Sequence, residues 1–116
     1  MSIRGDRLKP TVGDDTRFDL NITENELVYD VSKYAIVSAH AVGPTSGTWG
    51  TAVLTIRRSN DGKNPVALET ATTIGTGGGM TTAQDCTGYL FFHVCLTTNE
   101  GAAGSCEVIV CGKVSE

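Results

Sequence analysis

A short motif occurs twice in this chain. Asp30-x-Ser32-x-Tyr34 returns as Asp85-x-Thr87-x-Tyr89, and each copy runs into an alternating apolar stretch. Ala35, Val37, Ala39 and Ala41 stand in step with Leu90, Phe92, Val94 and Leu96 at an offset of 55. After a connection one residue shorter, Ala52, Leu54 and Ile56 correspond to Cys106, Val108 and Val110. Side chains alternate sides along a strand, so each set occupies one face. A one-residue slip would turn every one of them to water, which fixes the register wherever that face is buried. Residues 30–56 and 85–111 therefore read as two related β-hairpins. Two hairpins with one apolar face each predict two sheets packed face to face.

The rest of the chain fits an all-β reading. Val53–Ser59 reads as a strand closed by the turn signal Ser59-Asn60-Asp61-Gly62, and Pro65–Glu69 with the Thr-rich run to Ile74 as the next. Phe18, Leu20 and Ile22 alternate with polar residues as in a half-buried strand. Glu24-Asn25-Glu26 reads as a turn, Leu27–Tyr29 as a short strand, and Met80–Gln84 as another. With 14 glycines and no helical periodicity, the expectation is an antiparallel β-sandwich, jelly-roll or Ig-like, of about eight strands over residues 16–116. Residues 1–15 are polar, charged and interrupted by Pro10 and Gly13; they read as an extended N-terminal arm outside the core.

The 116 residues suit one domain. A net charge of −4 without a basic run argues against nucleic acid as a partner, because phosphate neutralisation needs clustered Lys and Arg. No apolar stretch is long enough to span a membrane as a helix, and the first residues lack the apolar core of a secretion signal. The four cysteines (86, 95, 106 and 111) are then expected as free thiols. The register places Cys106 on the core face and Cys95 on the opposite one, so those two should not be bridged; Cys95 and Cys111 share the outer face.

Chemistry-bearing patterns are sparse. Three consecutive glycines at 77–79 precede neither a Lys-Ser/Thr pair nor a helix, so a phosphate loop is not expected. Arg4-Gly5-Asp6 is an adhesion-type tripeptide and Asn21-Ile22-Thr23 a glycosylation sequon, both short enough to arise by chance. His93 and Cys95 face the same way, with Cys111 on the neighbouring strand of the expected hairpin. That arrangement offers a three-ligand metal site or a Cys-His nucleophile pair, but no orienting third group is visible. No catalytic residue, metal or cofactor is expected. More informative is the outer face of the second expected hairpin, with Tyr89, Phe91, His93, Cys95, Ile109 and Cys111, where the first hairpin carries Ser38, His40, Thr55 and Arg57. A contiguous apolar outer face marks a contact surface. Trp49, in the loop 43–50, either anchors a ligand or caps the end of the sheets.

The rhythm Ser59-Asn60-Asp61-Gly62-x-x-x-x-Val66-Ala67-Leu68, then Asp85-x-Thr87-Gly88-Tyr89-Leu90 and a closing pair of strands, resembles small β-sandwich structural proteins of tailed bacteriophages. The resemblance covers about residues 16–114. It implies a non-enzymatic capsid decoration (cement) protein, made in the bacterial cytoplasm and carried on the virion surface. Such a protein binds the major capsid protein lattice, often as a trimer. The candidate partner contacts are Arg4, Arg7, Leu8 and Pro10 of the arm, with Trp49, Tyr89, Phe91, His93 and Ile109. An arm of that kind should be removable without loss of the fold. Two alternatives stay open: a carbohydrate- or receptor-binding module of a tail or fibre, with Trp49 as stacking platform, and a head-completion or tail-tube subunit.

Overall fold

The computed structural model describes residues 5–20, 22, 25–42, 52–73, 79–80, 84–86, 88–98 and 104–114. Among them every regular element is a strand: β1 (Asp6–Arg7), β2 (Phe18–Asp19), β3 (Glu26–Asp30), β4 (Ile36–Val42), β5 (Val53–Ser59), β6 (Val66–Thr73), β7 (Gly79–Met80), β8 (Gln84–Asp85), β9 (Phe91–Thr98) and β10 (Ser105–Lys113). All pairings between them are antiparallel. One sheet has the order β1-β10-β4-β7, with β2 also on β10 and β8 also on β4; the other has the order β3-β9-β5-β6. The chain is all-β and antiparallel, as its alternation predicts.

The alternation also identifies the core. Val37, Ala39 and Ala41 of β4 and Val108 and Val110 of β10 join Leu54 and Ile56 of β5 and Phe92, Val94 and Leu96 of β9 in a single buried cluster. That cluster draws on both sheets, and each fully buried aliphatic or aromatic side chain in it contributes about 1.5–3 kcal/mol.

Strand pairing differs from the expectation. Neither residues 30–56 nor 85–111 form a hairpin. β4 pairs with β10 and β5 with β9, so the strand pair of each repeat is split between the sheets. Alternation reports which face of a strand is buried and says nothing about its neighbour. Sending β4 and β5 to different sheets lets both apolar faces contribute to the same cluster, which a flat hairpin would do only with a further layer over it.

The offset of 55 reappears in the hydrogen bonds. Val31 donates its backbone N–H to the Leu90 carbonyl at 2.8 Å, and Cys86, its counterpart, donates to Ala35 at 2.7 Å. Tyr34 N–H reaches the Val31 carbonyl at 2.9 Å, and Tyr89 N–H reaches Cys86 at 3.0 Å. Ala35 N–H goes to Lys113 O and Leu90 N–H to Ser59 O. Ile36 stands opposite Lys113 as Phe91 stands opposite Ser59, and Asp30 opposite Phe91 as Asp85 opposite Ile36. Exchanging β1, β3, β4 and β5 for β6, β8, β9 and β10 converts the neighbours β1-β10-β4-β8 into β6-β5-β9-β3; β2 and β7 lie outside this correspondence. The two repeats are thus interleaved about a pseudo-twofold relationship.

Residues 5–15 are not an arm outside the core. Leu8 N–H bonds the Val110 carbonyl at 2.8 Å, and its side chain lies in the buried cluster, 7% exposed. Three residues on, Thr11 donates to Val28 O at 2.6 Å and Val12 bridges Val28, so the segment passes from an edge of one sheet to an edge of the other. Asp15 O then accepts from Val108 N–H at 2.7 Å. A polar sequence concealed this because the ties are made by backbone, with one apolar side chain. Smaller differences follow. Glu26 begins β3 rather than closing a turn, and Ile22 is exposed. Of the strand expected over Met80–Gln84, Met80 lies in β7 and Gln84 in β8, and residues 81–83 lie outside the described residues.

Candidate functional site

The outward side of the second sheet carries a buried polar relay. His93, wholly buried, faces Val28 on one neighbouring strand and Arg57 on the other. Its Nε2 lies 2.7 Å from Ser59 Oγ and its Nδ1 lies 3.3 Å from Glu26 Oε2. Cys95, two residues along β9 and therefore on the same side, donates its S–H to the same Glu26 oxygen at 3.2 Å. Ser59 Oγ also accepts the Gly62 N–H at 3.0 Å. One assignment satisfies every group: the Ser59 hydroxyl donates to Nε2, and Nδ1–H donates to the Glu26 carboxylate.

This is the orienting third group that the sequence does not show, together with a hydroxyl. Hydroxyl, imidazole and carboxylate in this order have the connectivity of a nucleophile relay. Here His93 is 0% exposed and Ser59 5%, so the relay as it stands admits no substrate. Its effect is local. It satisfies polar groups that would otherwise be buried unpaired, and it fastens the turn after β5 to β9. Within that turn the Asp61 carboxylate accepts from the backbone N–H groups of Asn64 and Lys63 and from Asn64 Nδ2, which holds its pKa down to about 2.

The expected apolar outer face is divided. Tyr89, Phe91, His93 and Cys95 belong to the sheet of β9, and Ile109 and Cys111 to that of β10. His93 and Cys95 are buried, so neither presents a contact surface. Phe91 is half-buried against Gly62, and Tyr89 is half-buried with the Arg58 guanidinium 4.1 Å above its ring. Ile109 is half-buried opposite His40. In the N-terminal segment Arg7 is held by Asp15 at 3.4 Å and Glu107 at 3.6 Å, Leu8 is in the core and Pro10 is half-buried. Arg4 and Trp49 lie outside the described residues, as do Asn21 and Gly77–Gly78. Asp6 of the adhesion-type tripeptide accepts from the Tyr34 hydroxyl at 3.2 Å.

None of the four cysteines forms a disulfide. Burial pushes the Cys86 and Cys106 thiols up to about 11. Cys95 and Cys111 lie in different sheets, which removes the three-ligand arrangement with His93. Among the described residues no group of three or more His, Cys, Asp or Glu side chains is arranged to hold a metal ion.

Two grooves open where the two recurring motifs meet, and a third, of about 360 Å³, is lined by Arg17, Asp19, Gly104 and Ser105. Residues 31–35 are joined to Cys86 and Leu90 by the reciprocal hydrogen bonds, and the first two grooves flank Tyr34. One, of about 200 Å³, is lined by Leu8, Lys9, Asp30, Ser32 and Lys33. The other, of about 270 Å³, lies between Lys33, Tyr34 and Ala35 on one side and Cys86, Gly88 and Tyr89 on the other, with Val114. The repeat marks both tyrosines in the sequence, but only the interleaved pairing shows that they share a groove.

Fold and site together define an all-β protein of two antiparallel sheets, with a closed polar relay and two grooves beside the recurring motifs. No protein family, curated protein or solved structure matches the chain.

Proposed function

We propose that the chain is a non-enzymatic virion protein, a jelly-roll β-sandwich that decorates a phage capsid by binding the major capsid protein lattice, as a trimer. The observation that carries this reading is the interleaved strand order, β1-β10-β4-β7 against β3-β9-β5-β6. It supports a reading as two Greek keys wrapped around one core, an architecture used by viral capsid and lectin domains. The closed Ser59–His93–Glu26 relay supports a scaffold role, since it ties strands together in the interior. The resemblance of the sequence rhythm to phage structural proteins supports the virion setting of this reading.

The test is the copy number of this chain per major capsid subunit in purified virions of the phage that encodes it, by quantitative mass spectrometry. A ratio near one, or a simple fraction such as a third, is expected. A few copies per particle would instead assign it to the tail and favour receptor or glycan binding. Absence from particles would overturn the virion reading.

A further inference from the structure

The grooved end combines three features found together nowhere else among the described residues. First, both motif tyrosines line one groove, with their rings fixed from behind. Tyr34 packs on Gly112, whose hypothetical Cβ would stand 2.6 Å from the ring's Cγ, and Tyr89 lies under Arg58. Second, apolar side chains stay in water there: Ile36 is 38%, Leu90 46% and Val114 52% exposed. Third, Lys9 and Lys33 line the grooves and Lys113 adjoins Val114, all three exposed. Among the described residues none of these ammonium groups has an ion-pair partner. Of the nearby carboxylates, Asp30 accepts the Ser32 N–H at 2.9 Å and feels the Lys33 charge, and Asp6 accepts from the Tyr34 hydroxyl.

We infer that this end is the docking surface for an acidic loop of a protein partner. An aliphatic or aromatic side chain of the loop enters the 270 Å³ groove lined by Tyr34 and Tyr89, and its carboxylates face Lys33 and Lys113. Charge complementarity selects the occupant. Three exposed lysines, none in a close ion pair, on a chain of net charge −4 suit a short acidic segment, whereas a nucleic acid needs a longer basic track. Aromatic walls with an apolar rim suit a side-chain anchor. The inference deepens the shell-binding reading, on which the identity of the partner rests.

The experiment has two arms. In the first, the ¹⁵N-labelled full chain is titrated with a capped acidic hexapeptide of sequence Asp-Glu-Leu-Phe-Glu-Asp. Saturable shifts confined to the amides of 31–36, 86–90 and 112–114 are expected. A double variant, Lys33→Glu with Lys113→Glu, should weaken binding at least tenfold with an unchanged unfolding midpoint, and Leu90→Ser should weaken it independently. Shifts that are absent or lie elsewhere would overturn the surface; tighter binding of polyphosphate or single-stranded DNA at the same amides would overturn the peptide assignment. In the second arm, wild type and double variant are sedimented with capsids lacking this protein. Loss of binding by the variant alone supports the surface, and equal binding of both overturns it while leaving the shell reading in place. If wild type fails to bind capsids, the shell reading falls and the first arm alone decides the surface.

Discussion

Ser59 and His93, 34 positions apart, share a 2.7 Å side-chain hydrogen bond at a depth where neither meets appreciable solvent. The pair couples the end of β5 to the middle of β9, and Glu26 extends the coupling to β3. Removing the imidazole leaves Ser59 Oγ with only the Gly62 N–H and opens a cavity in the second sheet. His93→Ala should therefore cost about 2–4 kcal/mol in urea denaturation, and Ser59→Ala about 1–2 kcal/mol. A double-mutant cycle between them should return a coupling of about 1 kcal/mol; simple additivity would show that the bond contributes nothing beyond packing.

Two glycines separate steric from conformational cost. A Cβ on Gly112 would meet Tyr34 Cγ at 2.6 Å and Cδ1 at 2.8 Å, the rigid root of a ring that cannot swing aside. Gly88 has φ of +87° but nothing within 4 Å of the Cβ position. Gly88→Ala should thus cost about 1–2 kcal/mol, the left-handed backbone penalty alone. Gly112→Ala should cost about 1–3 kcal/mol by overpacking, and Tyr34→Ala should relieve most of that increment when combined with it. Thermal midpoints of the three variants against wild type measure both effects.

Acid sensitivity follows from three turn carboxylates. Backbone N–H groups of Asn64 and Lys63 lower Asp61 to about 2; hydrogen bonds from the Thr16 hydroxyl and backbone lower Asp14, and the Ser32 backbone N–H lowers Asp30. A carboxyl with a folded pKa below its unfolded value of 3.8 stabilises the fold above that value. The contribution is lost as pH falls through the folded pKa. Urea midpoints should accordingly be flat from pH 6 to about pH 4 and decline toward pH 2. Asp61→Asn should make that decline shallower while lowering the plateau.

Leu8 separates an arm from a structural segment. It lies 7% exposed in the core between the tie of its own N–H to β10 and the bridge of Val12 to β3. Leu8→Ala should cost about 2–4 kcal/mol in urea denaturation. Deletion of residues 2–14 should abolish cooperative unfolding rather than yield a folded, binding-deficient domain. A deletion variant with the wild-type midpoint would restore the arm.

What could be read in advance, and what could not, divides along a physical line. The apolar sets of β4, β5, β9 and β10 were legible because burial of one strand face imposes a period of two, and the motif Asp-x-Ser/Thr-x-Tyr made the repeat visible. Partner choice was not legible, because Val37 or Phe92 is equally buried beside either neighbour. The relay was hidden for the same reason: Glu26 and Ser59 stand 67 and 34 positions from His93, and no local pattern links them. Residues 5–15 were concealed by ties that are mostly backbone.

The pseudo-twofold relationship makes a prediction about chain order. Each repeat contributes strands to both sheets, and the joint between repeats is the turn after β5, whose residues 60, 61, 63 and 64 are exposed. The two ends of the described chain lie close together: Asp6 is the register partner of Gly112, and a Cβ on Gly5 would stand 3.5 Å from Gly112 O. A permutant opened between Asn64 and Pro65, with Glu116 joined to Met1 by a short Gly-Ser linker, places β6–β10 before β1–β5. If fold is specified by the interleaved pairing rather than by order of synthesis, the permutant should unfold cooperatively. Its loss relative to wild type should be about 1–2 kcal/mol, chiefly loop entropy and fraying of the Asp61 turn. Val31 and Cys86, whose amides bridge the repeats, should remain among the slowest to exchange with deuterium; fast exchange at both, with strand content retained, would show that the repeats need their covalent order to interlock.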